Sequence, residues 1–225
     1  MRKRRIATAQ ETLITTPMHT FVLENNLKKL SESIENSADT INIRDENYST
    51  ALDLSISNAY FDAANLLLNG RADPNICNRE GLTPFHVLVK NIDQFIKDGI
   101  KHENIIAMSK GLIKHKTDLS NQDRRGNTLI NFIAQKAKSN TPSTKTYTRI
   151  GVTLLASDDD AVETVKIRNN MGKTPTDYLA RNGNLVLRDA VFNCDSIKQR
   201  EEHISKIVAE TERAIKKASL ENIEA

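Results

Sequence analysis

The sequence predicts an all-α solenoid. About five helix-turn-helix units are joined by short β-hairpin loops, two units carry insertions, and a long C-terminal helix caps the stack. Three observations predict it. A tetrapeptide recurs as Thr16-Pro17-Met18-His19, Thr50-Ala51-Leu52-Asp53, Thr83-Pro84-Phe85-His86, Thr128-Leu129-Ile130-Asn131 and Thr174-Pro175-Thr176-Asp177, at intervals of 34, 33, 45 and 46 residues. Gly81, Gly126 and Gly172 precede three of these threonines, where a tight turn wants positive φ. Leu66-Leu67-Leu68 supplies a buried stripe for a second helix that cannot hide its apolar face alone.

Each threonine marks a helix start, because its hydroxyl can cap the free amides of the first turn. Pro84 and Pro175 suit that turn, where an amide hydrogen would lack a partner anyway. The units read as 11–44, 45–77, 78–122, 123–168 and 169–195. The first lacks the Asp-x-x-Gly opening, as a terminal cap can. In the third, Val87, Leu88, Ile92, Phe95 and Ile96 keep a helical spacing through extra residues, which predicts a lengthened first helix, and Gly111–Asp118 restores the frame. In the fourth, Ser139–Thr146 reads as an exposed polar loop between its helices, and Ala156–Ala161 as a lengthened turn. The fifth loses the frame after Leu187.

Residues 1–10 form a basic flexible N-terminus, in which Arg2-Lys3-Arg4-Arg5 reads either as a frayed end or as a nuclear-import or anionic-surface signal. Residues 196–225 carry Ile197, Ile204, Ile207, Val208 and Ile215 as one apolar stripe, with Glu202–Lys206 and Glu212–Lys216 pairs. That is one amphipathic helix, closing the stack or pairing in a coiled coil.

The second unit, from Asp45-Glu46-Asn47-Tyr48-Ser49-Thr50 through Ala63-Ala64-Asn65-Leu66-Leu67-Leu68 to Ala72-Asp73-Pro74-Asn75, resembles the ankyrin repeat closely. The openings at Asn78–His86 and Asn169–Pro175 resemble it too, and the resemblance covers roughly residues 11 to 195. It implies a non-enzymatic module that binds a protein partner through a concave groove and hairpin tips. It also implies that His19 and His86 bond between neighbouring units. Degenerate, insertion-bearing arrays in short chains rich in Asn, Ile and Lys resemble secreted effectors of intracellular bacteria. The tail glutamates Glu201, Glu202, Glu210, Glu212, Glu221 and Glu224 are similar to C-terminal signals of type IV translocated effectors. The expected location is therefore the cytoplasm, or a host cytosol or nucleus after translocation. An adaptor or regulator within its own cell is the alternative reading, and an enzyme with a site in the insertions is the third.

Composition narrows the classes. Lys plus Arg number 32 against 29 acidic residues, too mild an excess to announce a nucleic-acid binder. With no Trp, four Tyr and six Phe, base-stacking platforms are not expected. No apolar run is long enough to span a bilayer, and no apolar stretch follows the basic start as in a secretory signal. Cys77 and Cys194 make no paired framework, so reduced thiols are the default. His102, His115 and His203 lack metal-ligand spacing, Asp158-Asp159-Asp160 lacks the pattern of a calcium loop, and Cys77 has no nearby histidine. No catalytic residue, metal, cofactor or small-molecule substrate is expected, and a monomer is.

Mapping the ankyrin contact positions onto this chain gives the candidate partner-binding residues. They are Glu46, Asn47, Arg79, Glu80, Arg124 and Arg125 at tips, Lys173 beside a tip, and Ser57, Asn58, Lys90, Asn91, Lys136 and Arg181 at first-helix ends. The same mapping adds Leu82, Asn127, Gln135 and Asn182 beside them. The excess of Arg79, Lys90, Arg124, Arg125, Lys136, Lys173 and Arg181 over Glu80 predicts a basic groove suited to an acidic or phosphorylated surface. The insertions Ile92–Glu103 and Ser139–Thr146 are expected to shape that site or to be tolerated loops.

Overall fold

In the computed structural model the described residues are 15–138, 140–157 and 161–192, with Lys206 and Glu210. Each recurring threonine stands immediately before a helix in extended backbone. Thr50, Thr83 and Thr128 accept from the amide three residues on, at 3.2 to 3.4 Å. Thr16 and Thr174 bond instead to the side chains of His19 and Asp177. Such a cap is worth about 1 kcal/mol.

The first helices so started are α1 (Pro17–Leu23), α3 (Ala51–Ser57), α5 (Pro84–Lys97), α7 (Leu129–Lys136) and α10 (Pro175–Asn182). The second helices are α2 (Leu27–Asn36), α4 (Phe61–Asn69), α6 (His102–Lys114), α8 (Thr144–Ser157) and α11 (Leu185–Phe192), and α9 is a single turn at Ala161–Thr164. A positive φ at Asn25, Ala59, Gly99 or Gly183 turns the chain back after a first helix. First helices pack in the order α1, α3, α5, α7, α10 and second helices in the order α2, α4, α6, α8, α11. Two parallel layers result, each unit hiding its apolar flank against the next.

The core runs continuously between the layers from Met18 and Leu30 through Leu52, Leu67, Phe85, Leu88 and Ile105 to Ile133, Tyr147 and Leu187, all fully buried. Of the leucine stripe, Leu67 and Leu68 are buried and Leu66 is half-buried.

The hairpin loops form no strand among the described residues. They are five-residue turns built alike. Asp45, Asn78, Asp123 and Asn169 each donate their amide to the carbonyl four residues on, at 2.9 to 3.0 Å. Their side-chain oxygens accept from the amides two and four residues on. This local bonding satisfies the backbone without a ladder.

The two enlarged units differ in device. In the third, the extra residues extend α5 to 14 residues, twice the length of α3. In the fourth, the loop is shorter than expected: α8 starts at Thr144, and Ser143 and Thr146 are buried. The Thr144 hydroxyl donates back to the Lys138 carbonyl and accepts from the Thr141 amide, which folds this segment onto the start of α8. The 1–10 segment, Asp158–Asp160, Cys194 and His203 lie outside the described residues, as does all of the 196–225 tail except Lys206 and Glu210.

Candidate partner-binding groove

The turn chemistry dictates which side chains a partner could meet. With the Asx residue and the fifth residue bonded inward, the second and third residues of each tip point out. These are Glu46 and Asn47, Arg79 and Glu80, and Arg124 and Arg125, all exposed. Arg79 lies over the Tyr48 ring at 5.9 Å, which braces one tip against the previous one. The third and fourth tips are joined through Asn170: its amide donates to the Arg125 carbonyl at 2.9 Å and its Nδ2 to the Arg124 carbonyl at 3.1 Å.

Four candidates converge. Glu80, Lys90, Arg124 and Arg125 line a cleft of about 380 Å³ between α5 and α7, floored by Leu82, Asp123 and Phe132. Phe132 meets the His86 ring edge-on at 6.2 Å. Lys90 pairs with Glu80 at 2.6 Å, and both ends are solvated, so the pair adds little stability. The Asp123 carboxylate is spent on Asn127 and on its own tip amides. Arg124 and Arg125 have no ion pair among the described residues, so the cleft carries net positive charge at its rim.

The other candidates lie elsewhere. Ser57 and Asn58 are exposed, but their side chains donate back to the Leu54 carbonyl. Asn91 and Lys173 are half-buried, and Lys136 and Arg181 are exposed outside this cleft. Lys90 and Asn91 sit in mid-helix rather than at a helix end, because α5 continues to Lys97. Leu82 and Asn127 are buried, Gln135 Nε2 donates to Asn127 at 2.7 Å, and Asn182 Nδ2 donates to the Ala134 carbonyl at 2.7 Å. Asn169 completes that network by donating to Asn127 at 2.8 Å and to Tyr178 at 2.7 Å, so these amides hold units four and five together.

The buried histidines face the next unit. His19 Nε2 bonds the Ser49 carbonyl of the next unit at 3.0 Å. His86 Nδ1 bonds Thr83, and burial lowers its pKa to about 4 against the upward pulls of Asp123 and of a backbone hydrogen bond with Asn127 of the next unit. Burial likewise pushes the Cys77 thiol up, away from the thiolate a nucleophile needs.

Residues 37–88 match the family model described as ankyrin repeats (many copies). A relative, the transient receptor potential cation channel subfamily A member 1 homolog of Caenorhabditis elegans, is 35% identical over 75 residues, which is 33% of this chain and 6% of the relative. The chain therefore spans a small fraction of that protein's length. Ankyrin repeats are generally protein–protein interaction modules. No helix among the described residues is long and apolar enough to cross a membrane.

Proposed function

We propose that the chain is a non-enzymatic interaction module that holds an acidic or phosphorylated segment of a protein partner in the groove between its third and fourth units. The observation that carries this reading is the convergence of Arg124, Arg125, Lys90 and Glu80 from two units around one cleft floored in part by Leu82 and Phe132. Guanidinium groups suit carboxylates and phosphates because their planar forks can bond two oxygens at once.

Reversing Arg79, Arg124 and Arg125 together to glutamate should weaken capture of a crosslinked partner by about tenfold or more, with the helical circular dichroism unchanged and the melting temperature lowered by no more than the loss of the Arg79–Tyr48 contact. Unchanged capture rejects the groove. Binding should also weaken as salt is raised from 50 to 500 mM, because the charges are solvated.

The host-directed extension of this reading rests on the glutamate-bearing tail. A translocation assay comparing the full chain with one ending at residue 195 tests it, and equal delivery removes it.

A further inference from the structure

The insertions build a second cleft, and it lies in the same valley as the first. About 590 Å³ is enclosed between the far end of α5, the end of α7 and the folded-back segment before α8. Its lining includes Asp93, Lys97, Lys136, Lys138, Pro142 and Ser143. Unit two, without insertions, ends its first helix at Ser57 and has neither wall.

Lys90, Asp93 and Lys97 fall at i, i+3 and i+7 on α5, and Phe132 and Lys136 at i and i+4 on α7, so each set shares one helix face. Lys90 and Phe132 border the first cleft, and Asp93, Lys97 and Lys136 border the second. The two clefts are successive stretches of one furrow running along the helix axes. At 1.5 Å per residue α5 gives that furrow a length of about 20 Å, which an extended segment of about six residues fills.

The walls are fixed. Tyr147, fully buried, reaches from α8 to the Val89 carbonyl of α5 at 3.5 Å, and the Thr144 hydroxyl holds the Lys138 carbonyl. The charges sit at the two ends. Arg124 and Arg125 stand at one, and Lys97, Lys136 and Lys138 at the other, none ion-paired among the described residues. Glu80 lines the first cleft beside Arg124 and Arg125, where Lys90 neutralises it, and Asp93 lines the second beside Lys97, Lys136 and Lys138.

We propose that the valley between α5 and α7 is a lengthwise channel for one extended peptide segment of a partner, acidic at both ends, whose second end is anchored by Lys97, Lys136 and Lys138. The proposal rests on the acidic-partner reading above and adds the direction in which the segment lies and a second anchor. Among the described residues this furrow follows the helices where the two insertions meet.

The test uses the full chain and a fluorescein-labelled octapeptide with two aspartates at each end and four Gly/Ser residues between, read by fluorescence anisotropy. A control octapeptide carries aspartates at one end only. The two-ended peptide is expected to bind about tenfold tighter than the control, because its second contact forms within one molecule. Lys97→Glu with Lys138→Glu should bring it down to the control's affinity, and Arg124→Glu with Arg125→Glu should weaken it similarly. If K97E/K138E leaves the affinity unchanged while R124E/R125E weakens it, the channel is overturned and the groove stands. If neither variant matters, or the two-ended peptide does not bind, both fall.

Discussion

Gly126→Ala should destabilise the chain by about 2–4 kcal/mol, and Gly172→Ala by only about 1 kcal/mol, although the two glycines hold the same place in their tips. Both have left-handed backbones, with φ of +75° and +70°. That conformation alone is tolerable here, because Tyr48 adopts φ 63° at the matching position of the second unit. What differs is the space. A Cβ on Gly126 would lie 2.5 Å from Asn170 Oδ1 and 2.8 Å from the Asn170 backbone nitrogen, whereas one on Gly172 would meet nothing within 4 Å. The Asn170 amide cannot retreat cheaply, since it donates to the Arg125 carbonyl. The added methyl therefore pries units four and five apart at the tip that presents Arg124 and Arg125, and acidic-peptide binding should weaken along with stability. Urea unfolding followed by circular dichroism reads both variants. Equal midpoints for G126A and G172A would show that the close approach of the two tips costs nothing.

That contrast also marks the limit of what the sequence made legible. The five threonines located every first helix, because capping is a local requirement met by residue type at a fixed place. Val87 to Ile96 declared the extension of α5 through helical spacing alone. The second unit's turn closes with Tyr48 where the later tips carry Gly81, Gly126 and Gly172, since the Asp45 carboxylate accepts the amides that fix the loop. The site was only half legible. The ankyrin resemblance mapped Glu80, Arg124 and Arg125 to tips, and the turn bonding places these exposed residues around the first cleft. The second cleft was not legible, because it needs Lys97 at the end of one extended helix and Lys138 on a segment folded back by Thr144 to arrive side by side. Two insertions separated by α6 and α7 carry no local signal of their meeting.

The position filled by His19 and His86 yields the second large effect, a stability that depends on pH in opposite senses at neighbouring units. Asp53 is 3% exposed; its Oδ2 accepts from the Thr50 amide at 3.3 Å and its Oδ1 has no donor. Burial raises its pKa to about 7, against the Thr50 hydrogen bonds and the charge of Arg44, while Asp45 adds a smaller upward push. The folded state thus keeps a proton that the unfolded chain releases near 3.8, and the stability this contributes is complete below 3.8 and lost as pH rises through about 7. His86, held neutral by burial to about pH 4 despite Asp123 nearby, works the other way. Its contribution is complete above 6.5 and lost as pH falls through about 4. Between these limits each group changes stability by at most roughly 1.4 kcal/mol per pH unit with opposite sign, so the wild-type chain should be nearly flat from pH 4.5 to 6.5. Replacing Asp53 with asparagine leaves His86 unopposed, and stability should then climb with pH by about 2–3 kcal/mol over that range. His86→Asn leaves Asp53 unopposed, and stability should fall by a similar amount up to pH 7. Asparagine is the residue the fold itself buries here in the fourth unit, at Asn131, so both variants retain an accepted shape. Urea midpoints measured at pH 4.5, 5.5, 6.5 and 7.5 should therefore cross between D53N and H86N. Parallel curves would mean that neither side chain keeps its charge state as burial dictates.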